Sequence, residues 1–122
     1  MDKRMLVVDD EKETCENLSS FFTQRGFDVA QAYNGTEALE KIKAAFYPVI
    51  LLDIKMPDLS GIEVLKEAIK IHPEAKIIMI TGYVGEGNGE QECRDLGAHA
   101  YLTKPLHLKE LCDMIDGFYK EG

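Results

Sequence analysis

Val49-Ile50-Leu51-Leu52-Asp53-Ile54-Lys55-Met56-Pro57 is the stretch that decides the fold. Its four consecutive aliphatic residues are too few for a helix. They read as a strand with both faces buried, the kind found in parallel sheets covered by helices. On the N-terminal side a helical pattern carries Leu39, Ile42 and Phe46 and is broken by Pro48. On the C-terminal side Met56-Pro57-Asp58 opens a loop and Ser60 is placed to cap a helix. That helix shows Ile62, Leu65 and Ile69 and ends before His72-Pro73.

The same alternation continues in both directions. Upstream, Met5 to Val8 is a doubly apolar strand, followed by a helix with Cys15, Leu18, Phe21 and Phe22 that Gly26 ends. Phe27 to Ala32 mixes polar and apolar residues and reads as an edge strand. Asn34-Gly35 signals a turn, with Thr36 expected as the helix cap. Downstream, Ile77 to Ile80 is a buried strand and Glu90 to Leu96 a helix with few apolar anchors, ended by Gly97. Ala100 to Thr103 is a short strand, and Leu108, Leu111, Cys112, Ile115 and Phe118 form an amphipathic helix. Five strand–helix units imply an α/β fold: a parallel five-stranded sheet covered on both sides, in the order 2-1-3-4-5, as one domain over 1–122.

Composition narrows the function. The chain has 122 residues, 45% of them hydrophobic and 30% charged, as in globular domains. Fourteen basic against 22 acidic side chains give a net charge of −8. The isoelectric point near 4.8 argues against binding nucleic acid or anionic lipid. The longest aliphatic runs have four residues, where a membrane span needs about 20. Met1-Asp2-Lys3-Arg4 lacks the apolar stretch of a secretory signal. Cys15, Cys93 and Cys112 sit on apolar helix positions, odd in number and without C-x-x-C, as expected of buried thiols in a reducing cytoplasm. His72, His99 and His107 have no metal-ligand spacing and are expected in loops or at the surface.

In open α/β sheets ligands bind beyond the carboxyl ends of the strands. Here those ends carry Asp9-Asp10-Glu11, Asp53, Thr81-Gly82 and Thr103-Lys104-Pro105. The first and third strands are neighbours in the expected order, so their carboxylates converge. Two unit charges about 4 Å apart cost roughly 4 kcal/mol at an effective dielectric near 20, and three on the order of 10 kcal/mol. One Asp after a strand can be only a turn or cap residue. Four strand ends carrying this set instead suggest a hard divalent cation, with a coordination shell that a phosphoryl group completes.

These residues, in this order, resemble the receiver domain of two-component response regulators. The resemblance covers essentially the whole chain. It is carried by Val7-Val8-Asp9-Asp10-Glu11, Leu52-Asp53-Ile54-Lys55-Met56-Pro57, Gly61, Ile80-Thr81-Gly82, Gly97-Ala98 and Tyr101-Leu102-Thr103-Lys104-Pro105. It implies a flavodoxin-like (βα)5 three-layer sandwich and a cytoplasmic phosphoprotein that acts as a signalling switch. Such a protein is not an enzyme beyond its own phosphoryl transfer and dephosphorylation.

By the same resemblance, Asp53 accepts a phosphoryl group from a phosphohistidine on a sensor histidine kinase. Asp10 and Asp53 ligate Mg²⁺ directly, Asp9 acts through water, and Lys55 offers its backbone carbonyl. Lys104 and Thr81 meet the phosphoryl oxygens. Thr81 and Tyr101 form the switch, Thr81 moving to open space that Tyr101 fills. The Lys104-Pro105 peptide is expected to be cis. Two new charge-assisted hydrogen bonds, from Thr81 and Lys104, supply at most roughly 3–6 kcal/mol, the scale of a population shift. The output runs through the fourth helix, fifth strand and fifth helix to a separate protein or to an effector domain not in this sequence, the domain being a monomer or a phosphorylation-dependent dimer.

Some positions depart from the family pattern. Gly82 stands where Ala is common and Leu106 where Phe often follows the proline; size and apolar character are kept. Gly85-Glu86-Gly87-Asn88-Gly89 is expected to fray or displace the start of the fourth helix, since each Gly costs about 1 kcal/mol relative to Ala. It matches no phosphate-cradling glycine motif, and Glu86 and Glu90 would repel phosphate. Lys55 and Tyr83 occupy the positions that tune acyl-phosphate hydrolysis in receivers. An aspartate-nucleophile phosphatase would need Asp-x-Asp after the first strand. A flavin carrier would need a hydroxyl-rich loop where Asp9-Asp10-Glu11 stands.

Overall fold

Each strand of the computed structural model, which describes residues 3–82 and 89–121, divides its side chains between two cores. The elements follow as β1 (Arg4–Val8), α1 (Lys12–Gln24), β2 (Asp28–Ala32), α2 (Gly35–Ala44), β3 (Val49–Asp53), α3 (Gly61–Ile71), β4 (Lys76–Thr81), α4 (Glu90–Leu96), β5 (Ala100–Thr103) and α5 (Leu108–Glu121). The sheet is parallel throughout, in the order β2-β1-β3-β4-β5. Leu6, Val8, Ile50, Leu52, Ile77 and Met79 face Ala38 and Ile42 of α2, Val64, Leu65 and Ala68 of α3, and Cys93 of α4. Met5, Val7, Val49, Leu51, Ile78 and Ile80 face Cys15, Leu18 and Phe22 of α1 and Leu111, Cys112 and Ile115 of α5. Successive residues of a strand point to opposite faces. With helices on both faces, the interior positions of the central strands are apolar, polar residues standing only at strand ends such as Arg4, Lys76, Asp53 and Thr81, which is why they read as unbroken apolar runs. Each fully buried Leu or Ile contributes about 1.5–3 kcal/mol.

Edge strand β2 is only partly covered, its burial rising to full only at Ala32. Phe27, expected in that strand, lies just before it and packs edge-on against Phe22 and Tyr119. Gly26, one residue past the Arg25 cap of α1, and Gly97, the cap of α4, take positive φ (93° and 112°), a conformation that glycine adopts without a Cβ penalty. All three cysteines are free and buried.

Two local expectations need correction. Asn34, not Thr36, caps α2: its side chain accepts from Glu37 N–H at 2.8 Å, while Thr36 lies in the first turn and bonds Asp58. The helix α2 ends at Ala44, so Phe46 lies beyond it and reaches the core from the connecting segment. His72, expected in a loop, follows α3 as its C-cap; its Nε2 is 3.0 Å from the Ile42 carbonyl oxygen and its ring packs edge-on with Phe46. The expectation about 85–88 lies outside the described residues; Gly89, at the start of α4, has φ 86°.

The turn from β3 into α3 sets the position of Asp53. Ile54 N–H donates to the Ile80 carbonyl (3.1 Å), and the Ile54 carbonyl accepts from Gly61 N–H (2.7 Å). Ser60 caps α3 through Glu63 N–H at 3.3 Å. A Cβ on Gly61 would stand 2.2 Å from the Asp53 carbonyl oxygen and 2.8 Å from the Ile54 Cα, both backbone atoms that cannot swing aside. Gly61→Ala is therefore expected to cost about 1–3 kcal/mol, read as a lower urea midpoint with an unchanged m-value.

Candidate functional site

Asp9 and Asp53 follow paired positions on adjacent strands, since Val8 is in register with Leu52. Asp9 is 3% and Asp53 5% exposed, whereas Asp10 turns outward into solvent. One carboxylate oxygen from each of Asp9, Asp10 and Asp53 lies within 4.8 Å of the others. Across the sheet Thr81 pairs with Thr103, and Lys104 N–H donates to the Thr81 carbonyl at 2.8 Å. That bond carries the chain from β5 back over the rim. From there the Lys104 ammonium reaches Asp9 Oδ2 at 3.0 Å, Glu11 Oε1 at 3.3 Å and Asp53 Oδ2 at 3.6 Å. The Lys104–Pro105 peptide is cis.

Each buried carboxylate has a second anchor. Asp9 Oδ1 accepts from Glu11 N–H (2.9 Å) and Asp53 Oδ1 from Lys55 N–H (3.3 Å). A cleft of about 350 Å³ opens here, lined by Asp10, Glu11, Asp53, Lys55, Gly82 and Lys104. The sequence-predicted residues Asp9, Asp10, Asp53, Lys55 and Lys104 thus meet in one place, with Thr81 buried at the adjoining strand end. Tyr101 lies elsewhere. It pairs with Met79 on β5 and is 8% exposed within the core layer shared with α2, α3 and α4.

Burial raises the Asp53 carboxyl to about 6, with the Asp9 charge adding to the rise; Lys104 and the Lys55 N–H offset part of it. Burial alone would lower Lys104, but the hydrogen bond to Asp9 and the charges of Asp53 and Asp9 outweigh it and hold its pKa up. Buried carboxylates partly neutralised by one ammonium, with a third carboxylate exposed at the cleft and no His or Cys among them, fit a hard, oxygen-seeking divalent cation.

Two groups were not legible in the sequence. Glu11 is a third partner of Lys104, and Lys104 is therefore engaged before any phosphoryl group arrives. A phosphoryl group at this site would have to compete with these carboxylates, which would put the net bias below the roughly 3–6 kcal/mol scale that counts two wholly new bonds. Asp58 is the other. It accepts from Gly35 N–H (2.9 Å), Thr36 N–H (3.0 Å), Thr36 Oγ1 (2.6 Å) and Leu59 N–H (2.7 Å). Its partners on α2 are 22 and 23 residues away, beyond any local spacing rule.

The raised Asp53 pKa has a stability consequence. Between an ordinary value of 3.8 and about 6 the folded state binds the extra proton, so stability falls as pH rises through this window. At pH 7, without divalent cations, Asp53→Asn is expected to be more stable than wild type by about 1–3 kcal/mol. The gap should close toward pH 4, as read by urea unfolding of both proteins at each pH.

The response regulator receiver domain family model matches residues 5–116. The chain is 34% identical over 115 residues to sporulation initiation phosphotransferase F of Bacillus subtilis, covering 94% of this chain and 92% of that protein. It spans about half the length of several other curated relatives that it matches. Among solved structures, a CheY-like receiver domain protein from Methanospirillum hungatei superimposes with a TM-score of 0.88 at 35% identity, over the whole of both chains. The response regulator TrrA from Thermotoga maritima, in complex with Mg(2+)-BeF, gives 0.84 at 35% identity, over 95% of this chain and 98% of that one. With a matching fold and a family match over nearly its full length, the chain belongs to the response regulator receiver domain family, whose members are phosphorylation-dependent signalling switches.

Proposed function

We propose that Asp53 is the phosphoryl acceptor, with a phosphohistidine on a sensor histidine kinase as the donor. The observation that carries this reading is the convergence of Asp9, Asp10, Asp53 and Lys104 at one rim. An Asp53 oxygen attacks phosphorus while the phosphorus–nitrogen bond breaks and its electron pair returns to the imidazole. Above about pH 6 the acceptor is mostly in its nucleophilic, ionised form. The Lys55 N–H and the Lys104 ammonium hold its two oxygens apart in direction. Lys104 then transfers from carboxylates to phosphoryl oxygens, a move of one flexible side chain whose backbone stays tied to Thr81. The buried Thr81 hydroxyl supplies a second donor.

Asp9, Asp10 and Asp53, with the Lys55 backbone carbonyl, would hold Mg²⁺. When bound, the cation screens the repulsion between acceptor and phosphate and neutralises charge as it shifts between oxygens. That the similar protein TrrA was solved in complex with Mg(2+)-BeF supports a Mg²⁺ site in this chain. The output is assigned to α4, β5 and α5. A cleft of about 390 Å³ runs there beside Tyr101, Lys104, Glu90 and Glu110, so the residue that contacts the acceptor also lines the output face. Tyr101, buried in this state, is the reporter of the switch, through a shift between buried and outward populations. The reader of that face is a protein or an effector domain. The net charge of −8 opposes nucleic acid binding by the domain itself. Cytoplasmic placement belongs to the same reading, supported by three free buried cysteines. Among the described residues no helix is long and apolar enough to cross a membrane.

Intact mass after incubation with Mg²⁺ and acetyl phosphate tests the acceptor. Wild type should gain one phosphoryl group and Asp53→Asn none, and omission of Mg²⁺ should lower the yield. Labelling of Asp53→Asn to the wild-type level would overturn the assignment. Steady turnover of external phosphate esters would favour a phosphatase, although Asp53 is followed by Ile54-Lys55 rather than by the x-Asp that chemistry needs.

A further inference from the structure

The loop from Ile54 to Ser60 carries Lys55 over the acceptor and is closed at its ends by the Ile54–Ile80 and Gly61–Ile54 backbone bonds. Its middle is held by Asp58. The carboxylate grips two backbone N–H groups and the hydroxyl at the start of α2, and the N–H of its own neighbour Leu59. Leu59 in turn lies so close to α2 that a Cβ on Gly35 would fall 2.5 Å from the Leu59 Cβ. With Asn34 satisfying Glu37 N–H, the N–H groups of Gly35, Thr36 and Glu37 are all taken, two of them by a residue of a different loop. The Thr36 hydroxyl, helped by the backbone donors, holds the Asp58 carboxyl well below the usual carboxylate range. The clamp is thus ionised wherever the protein is folded at ordinary pH.

We propose that Asp58 is a positioning residue for the chemistry of Asp53: by pinning the β3–α3 loop to the start of α2 it sets the lifetime of the aspartyl phosphate. The proposal rests on the reading of Asp53 as acceptor. Lys55 lies three residues from the clamp, and its N–H meets Asp53 Oδ1 at 3.3 Å, beyond the usual range, where a small displacement of the loop decides whether the bond exists. Lys55 also forms a wall of the cleft through which water reaches the acceptor. A loop released at Asp58 loosens both the orientation of the acyl group and the exclusion of water. A mere helix cap would change stability and leave the chemistry alone.

The test uses the whole chain, phosphorylated with acetyl phosphate and Mg²⁺ and then freed of donor, with decay followed by intact mass well below the melting temperature. Asp58→Ala should label to the wild-type level but decay about three- to tenfold faster, the scale expected of a slight misplacement at a reacting centre. Thr36→Val removes one of the four donors and carries the test if Asp58→Ala does not fold; it should accelerate decay less. The double variant should decay no faster than Asp58→Ala. Decay of folded Asp58→Ala within about twofold of wild type, or decay of Thr36→Val no faster than wild type, overturns the proposal, as do additive effects in the double variant. If wild type takes up no phosphoryl group, or Asp53→Asn takes one up, the acceptor assignment fails and the proposal falls with it. That outcome is distinct, because it shows before any decay is measured.

Discussion

One ammonium against buried carboxylates is the interaction on which this molecule turns. Asp9 and Asp53 sit at the ends of adjacent central strands, almost closed to solvent, where like charges are costly. Lys104 offsets that cost, but only because β5 lies two strands from β3 and its chain returns over the rim, tied to Thr81. The offset is incomplete, and the raised Asp53 pKa is its measure. On the proposed reading, a site under strain of this kind would take a divalent cation and exchange partners with a phosphoryl group. On that reading, stability given up at the rim makes the rim responsive.

The rest of the fold makes that strain bearable. Two apolar layers hold the sheet between α1 and α5 on one side and α2, α3 and α4 on the other. Parallel registers bring the carboxyl ends of four strands to one level, so that residues far apart in the chain become neighbours. The β3–α3 turn is fitted to backbone precision by the close approach of Gly61, and the loop is tied to α2 by Asp58. Rigid strands thus carry Asp53, while Lys55 and Lys104, which contact its carboxylate, sit on loops.

Legibility in the sequence followed the range of the interaction. Val49 to Leu52 and Ile77 to Ile80 were readable as strands because burial on both faces forces an unbroken apolar run. Ser60 was readable as a cap because its partner, Glu63, is three residues away. At the start of α2 the same rule misled: Asn34 and Thr36 are both capping types, and the choice was made by Asp58, which engages Thr36 from another loop and leaves Asn34 to cap. His72 offered no spacing signal, since its partner is the carbonyl of Ile42, at 30 residues' distance.

Taken alone, the amino-acid order determined the strand–helix alternation, the neighbourhood of Asp9 and Asp53, and the family to which the chain belongs, because periodicity, caps and strand-end residues are local properties. Only tertiary structure decided that Lys104 is shared among Asp9, Glu11 and Asp53, that Tyr101 lies inside the core layer, and that Asp58 clamps α2. Those outcomes depend on distances of a few ångströms between segments tens of residues apart. Such distances follow from how the layers pack, and no local pattern of side chains encodes them.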